Sequence, residues 1–183
     1  MKIRETPLAG VNVVQLDSRG DSRGAFTRLF CEEELRDILG GRRIVQANHS
    51  ITEQVGSIRG MHFQHAPHAE MKLITCVRGA VWDVAVDLRP ASPTYLKWHG
   101  EELSAEGHRL MVIPEGCAHG FQVLRPGSEL MYLHTAAYRP SAEGGVRYDD
   151  PALNIRWPLP DGIVSERDRS HPPIDKTFTG VRL

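Results

Sequence analysis

From Arg43 onward the apolar residues fall in short runs rich in Val, Ile and aromatic side chains, separated by turns carrying Gly and Pro. The pattern predicts strands over Arg43–Ile51, Ser57–Gln64, Lys72–Val77, Ala80–Leu88, Tyr95–Leu103, His108–Ile113, Cys117–Leu124 and Glu129–Tyr138. Arg78-Gly79 turns the chain between two of these runs, and Arg125-Pro126-Gly127-Ser128 between two others. Many short strands punctuated in this way point to a sandwich or barrel. Nearer the start, Val11–Leu16 reads as a strand. The tandem Asp-Ser-Arg-Gly of residues 17–24 reads as a loop of turn formers carrying Arg19 and Arg23, and Ala25–Phe30 as a further strand. Cys31–Leu39 (CEEELRDIL) has the acidic first turn of a short helix, stopped by Gly40-Gly41. The tail from Ser141 carries many Pro, Gly and charged residues and reads mostly as loop, with a short helix near Ser165–Arg169.

The chain has 183 residues, 40% of them hydrophobic, which suits one domain spanning 1–183 with a substantial core. Its net charge of −1 provides no general basic field for nucleic acid or an anionic membrane, although a local Arg cluster could hold a small anion. No apolar run approaches the ~18 residues of a membrane span. MKIRETPLAG lacks the apolar core of a signal peptide. Cys31, Cys76 and Cys117 are widely spaced, forming neither a disulfide framework nor a metal knuckle, so a reducing cytoplasm is the expected setting.

Candidate chemistry concentrates between Ile58 and Arg89, where Arg59, His62, His65, His68 and Lys72 stand close together in sequence. Polar groups facing into a barrel are costly unless paired or used. Pro114-Glu115-Gly116-Cys117-Ala118-His119 has the PxGxxH spacing of the second cupin motif. The first cupin motif would carry His-x-His, and here it is His62-Phe63-Gln64. Alternate strand residues share a face, so His62 and Gln64 should point the same way. Gln is a poor ligand for a transition metal. No resident metal is therefore expected. Were one held, its ligands would be His62, His65 or His68 together with His119.

The whole chain resembles the dTDP-4-dehydrorhamnose 3,5-epimerase family. The resemblance rests on Asp21-x-Arg23-Gly24-x-Phe26, Gln46-Ala47-Asn48-His49-Ser50, IRGMHFQ at Ile58–Gln64, MKLITCVRGAVWDVAVDLR at Met71–Arg89 and IPEGCAHGF at Ile113–Phe121. Tyr132, Tyr138, Glu143, DDPALNIRWP at Asp149–Pro158 and Ser165-x-x-Asp168 continue it. Each stretch alone is weak, but together and in this order they are specific. The resemblance implies an all-β cupin jelly-roll barrel. It also implies a cofactor-free epimerase that inverts C3 and C5 of a nucleotide-linked 4-keto-6-deoxy sugar through an enolate. Such chemistry needs a base, an acid on the opposite face and a cation beside the enolate oxygen.

On this resemblance His62 is the base, Asp168 holds its imidazole, Lys72 stabilises the enolate and Tyr132 is the acid. Tyr138, six residues on, would share the face of Tyr132 if the strand were regular. Arg23, Arg59, His119 and Arg167 would contact the diphosphate and adjoining sugar, since a guanidinium gives paired, charge-assisted bonds to phosphate. Gln46, Asn48 and Glu143 match ligand-contact positions, and Phe26 is either core or a pocket wall. The family also implies a homodimer with exchanged N-terminal strands. Two positions depart from the family pattern: Arg19 stands where an aromatic residue is usual, and Arg28 where Glu is usual. Both belong to the base-binding end, which leaves a GDP- or CDP-linked sugar as an alternative, as is inversion at C3 alone. A metal-dependent cupin enzyme and a non-catalytic sugar-binding cupin are the competing classes.

Overall fold

A computed structural model describes residues 1–183. The apolar runs form two antiparallel sheets whose inner faces meet. The first sheet orders β1 (Lys2–Glu5), β2 (Asn12–Gln15), β10 (Arg109–Ile113), β7 (Lys72–Arg78), β12 (Ser128–His134) and β5 (Gln46–Thr52) side by side. The second orders β13 (Glu143–Gly145), β6 (Ile58–Gln64), β11 (Cys117–Val123), β8 (Ala80–Asp87) and β9 (Trp98–Ser104). Ile74, Met111 and Leu130 of the first sheet pack between them on Val81, Ala85 and Phe121 of the second. Each such fully buried side chain stabilises the fold by about 1.5–3 kcal/mol.

The outer faces are covered as well, which is why β8 reads as an almost unbroken apolar run. Val84 and Val86, on its other face, pack under Val146, Tyr148, Leu153 and Val181 of the tail. The tail is loop-rich, as expected, and it is also the second wall of this core. Leu73 and Val112, on the outer face of the first sheet, pack under Leu35 and Leu39.

Four expectations need correction. The tandem Asp-Ser-Arg-Gly is a hairpin, with β3 (Ser18–Asp21) paired to β4 (Gly24–Thr27). Its turn formers act only at the tip, where Asp21 accepts from the Arg23 N–H at 2.8 Å, while Thr27 donates to Ser18 at 2.8 Å lower down. The helix predicted over Cys31–Leu39 narrows to α1 (Arg36–Leu39), ended by Gly40 in the left-handed region at φ 56°. Glu34 turns away to bond Arg28 at 2.6 Å instead of extending a helical surface. The strand predicted to reach Tyr138 stops at His134. Beyond it the Tyr138 N–H donates to the Gln46 side chain at 2.9 Å, and Pro140, with no N–H, opens a 3-10 turn. Finally, β1 and β13 carry no clear alternation in sequence and pair all the same. The helix expected near Ser165 is present as α2 (Glu166–Arg169).

Candidate active site

A cavity of about 1210 Å³ opens between the two sheets, lined by β5, β6, β7, β11, β12 and the α2 segment. Usual small-molecule sites run to ~300–1,000 Å³, so this one has room for more than a single sugar ring.

His62 enters from β6, and its position depends on a close approach of two strands. Gly60 has φ 128°, and a Cβ there would lie 2.5 Å from the Gly120 Cα on β11. A side chain would push the strands apart just beside the imidazole. Asp168 is fixed from the other direction. Ser165 caps α2, accepting from the Asp168 N–H at 3.1 Å. The Asp168 carboxylate then accepts from His62 Nε2 at 2.8 Å and from the Gly60 N–H at 3.1 Å. Burial pushes this carboxyl up, but the His62 and Gly60 hydrogen bonds outweigh it and hold it below the ordinary Asp range. An ionised carboxylate only accepts, so the His62 proton sits on Nε2 and the lone pair on Nδ1. That is the tautomer a base requires.

Lys72 comes from β7 in the opposite sheet and is buried. Its ammonium donates to the His62 carbonyl at 2.9 Å and pairs with Glu70 at 3.1 Å. Glu70 also accepts from Gln64, which shares the His62 face as its spacing suggested. An ammonium has three hydrogens. With two engaged by fixed groups, the third is left for a ligand oxygen.

Tyr132 lies on β12, also in the sheet opposite His62. Its hydroxyl is 3.3 Å from Ser50 Oγ and its ring is edge-on to His119, centroids 5.9 Å apart. Burial pushes the phenol well above its ordinary value, so it carries its proton at neutral pH. His119, on β11, is directly opposite His62 in the strand register. Its Nε2 is 2.7 Å from the fully buried Asp83. Neighbouring His134 is held down to about 4 by burial, with the Lys72 charge acting the same way.

At the mouth, Glu143 accepts from the Tyr138 hydroxyl at 2.9 Å and pairs with Arg167. Arg59 donates to Thr52 at 3.0 Å. Asn48, Arg59, His119, Tyr138, Glu143 and Arg167 therefore all line the same cavity as His62, Lys72, Tyr132 and Asp168. Tyr138 reaches it from a loop. Gln46 stands just outside the lining, bonding Asn48 at 3.2 Å and tethering Tyr138. Arg23, Phe26 and Arg28 are not brought to the cavity within the chain. They sit on or next to the β3–β4 hairpin, with Phe26 75% exposed.

The ligand set considered for a metal is not assembled either. His119 is taken by Asp83, and His65 packs edge-on against Phe63 at 5.0 Å. Sequence reasoning missed Glu70, Ser50 and His134 in the cavity lining, and Asp83 and His171 outside it. Asp83 had a signal, since it is a carboxylate on the inward face of a valine-rich strand. Glu70-x-Lys72 offered an opposite charge at strand spacing. His171 offered none.

Two sheets enclosing a polar pocket with an oriented imidazole on one wall and a protonated phenol on the other define a cupin-type barrel built for acid–base chemistry. Comparison with known proteins makes this specific. The family model described as dTDP-4-dehydrorhamnose 3,5-epimerase matches residues 5–176. A protein of that name from Sinorhizobium fredii is 40% identical over 175 residues, 95% of this chain and 90% of the relative. The crystal structure of the Elizabethkingia anophelis enzyme superposes with a TM-score of 0.91 at 38% identity, covering 97% of this chain and 98% of that one. The Legionella pneumophila enzyme, solved with dTDP-4-keto-L-rhamnose, has a TM-score of 0.91 at 35% identity, covering 100% and 98%. The chain belongs to the dTDP-4-dehydrorhamnose 3,5-epimerase family.

Proposed function

We propose that this protein is an isomerase that inverts C3 and C5 of a dTDP-linked 4-keto-6-deoxy sugar. One observation carries the reading: His62 and Tyr132 project from opposing sheets into one cavity that also holds the Lys72 ammonium. A hydrogen α to the ketone passes to His62 Nδ1, and its electron pair moves to the ketone oxygen, where the free Lys72 hydrogen meets the negative charge. The Tyr132 hydroxyl then delivers a proton to the same carbon from the other face, which inverts it. Exchange with solvent resets both groups, and the cycle repeats at the second carbon. Arg59 and Arg167 at the mouth suit a diphosphate.

The nucleotide end is completed by a second copy of the chain. Support comes from the β3–β4 hairpin, which pairs with no other strand and leaves Phe26 exposed, and from Ile3 on the outermost strand, 45% exposed. Arg23, Phe26 and Arg28 would thereby reach the partner's cavity. Arg28 is already engaged by Glu34. No helix is long and apolar enough to cross a membrane. All three cysteines are free, which suits a reducing cytoplasm.

The test is incubation with dTDP-4-dehydro-6-deoxyglucose followed by NMR, together with a thermal-shift panel of dTDP, UDP, GDP and CDP and light scattering for mass. Appearance of the C3- and C5-inverted ketone, the largest stabilisation by dTDP and a dimeric mass are expected. An unchanged sugar would overturn the reading. A larger shift with GDP or CDP would reassign the nucleotide, and a monomer at micromolar concentration would remove the proposed exchange.

A further inference from the structure

The segment after α2 places a second imidazole behind the base. His171 is edge-on to His62, with ring centroids 6.2 Å apart. The room for it exists because Gly145, the residue registered opposite His62 on β13, has no side chain. A Cβ there would lie 2.3 Å from His171 Nε2. That Nε2 is buried and has no hydrogen-bond partner. The ring is not part of the cavity lining, and nothing in the proposed reaction uses it. Yet His62, Asp168 and His171 each present a ligand atom, all within 4.8 Å of one another.

The geometry points to a transition-metal site formed by His62, Asp168 and His171 whose occupation switches the enzyme off. Two imidazoles and one carboxylate suit Zn²⁺ and its neighbours, and do not suit Mg²⁺ or Ca²⁺, which prefer all-oxygen shells. Three such ligands also leave a position for water. Bonds of ~2.0–2.1 Å require the side chains to close on the ion by on the order of 1 Å, which the half-buried His62 and His171 rings allow around a fixed, buried Asp168.

Inhibition follows from the tautomer. His62 Nε2 now carries a proton and donates it in a hydrogen bond to Asp168, so Nδ1 keeps the lone pair. An ion bound at Nε2 needs a lone pair on Nε2 itself. The ring proton must then leave Nε2 and a proton must occupy Nδ1, with no net change in protons on a neutral imidazole. Nδ1 is the atom that has to receive hydrogen from the sugar carbon, so a bound ion and a working base exclude one another. The inhibitory half of this inference rests on His62 being the base; the binding half does not.

The experiment measures Zn²⁺ binding by equilibrium dialysis, with Mg²⁺ as control, and epimerase turnover across a Zn²⁺ titration. Wild type is compared with His171→Ala and His171→Asn, and circular dichroism checks the fold of each. The expected result is one Zn²⁺ per wild-type chain, turnover lost as it binds and restored by EDTA. Both variants keep full turnover without Zn²⁺ and need at least ~10-fold more of it for binding and inhibition, because even an outer partner of a metal ligand is worth ~10–100-fold in affinity. Equal Zn²⁺ binding by wild type and both variants would overturn the site. Zn²⁺ bound through His171 with wild-type turnover intact would overturn the switch and count against His62 as the base. A protein that never turns over the sugar but binds Zn²⁺ through His171 would uphold the site and sink the functional reading alone.

Discussion

His62 and His119 face each other across one rung of β6 and β11, and each bonds an aspartate, at 2.8 and 2.7 Å. By distance the pairs are nearly the same, but their surroundings differ. The His62 and Asp168 side chains are 31% and 6% exposed, and Asp168 also accepts from a backbone N–H. The His119 and Asp83 side chains are 7% and 0% exposed, and the second Asp83 oxygen has no partner. The two carboxyls are consequently displaced in opposite directions. Asp168 is held below its ordinary value by its hydrogen bonds despite burial, while burial pushes Asp83 up against the pull of His119 and Lys72. A histidine–aspartate pair alone does not define a base. Access to the substrate and a second donor to the carboxylate separate the working pair from the fixed one.

The contrast is sharpest in turnover. His62→Ala should lower kcat by ~10²–10⁴-fold with the fold intact by circular dichroism, and Tyr132→Phe by ~10²-fold or more. His119→Ala should act chiefly on KM; an equal loss of kcat in the His119 and His62 variants would erase the distinction. Asp168→Asn comes next. It removes the pure acceptor that fixes the His62 tautomer, and kcat should fall by up to roughly 10⁴-fold with KM little changed. Asp83→Ala should appear mainly in stability. It leaves the buried His119 Nε2 unpaired at a cost of about 1–3 kcal/mol in urea unfolding. A smaller cost than for Asp168→Ala would contradict the assignment of the sealed pair as structural support.

The smallest effect is a slope. His134 titrates near 4 in the fold against an ordinary 6.5, so the unfolded chain binds more protons between those values. Stability should therefore fall as pH drops through that window, by up to about 3 kcal/mol at its acid end. His134→Gln should flatten that part of the stability–pH curve.

Much of this was legible in sequence, for a physical reason. β7, β8, β10 and β11 are buried on both faces over most of their length, so there residue type and strand identity coincide. His62 and Lys72 stood out because a polar group facing into a barrel must be paired or used, but their roles, like that of Tyr132, came through the family resemblance. Asp168 was readable only through the family resemblance. Its tie to His62 is made by a four-residue helix whose Ser165 cap is a weak local signal. The hairpin at Ser18–Thr27 was hidden because the same turn formers that suit a loop also suit a hairpin tip. His171 could not be foreseen. It depends on a missing side chain at Gly145, in a strand that shows no alternation.

The most direct measurement is deuterium uptake at C3 and C5 of dTDP-4-dehydro-6-deoxyglucose in D₂O, followed by NMR for wild type, His62→Ala and Tyr132→Phe. Wild type should exchange both positions as it inverts them, and His62→Ala should exchange neither. Tyr132→Phe should still remove a proton at His62 but fail to return one from the opposite face, giving exchange without inversion. Exchange by His62→Ala at the wild-type rate would contradict the account at its centre.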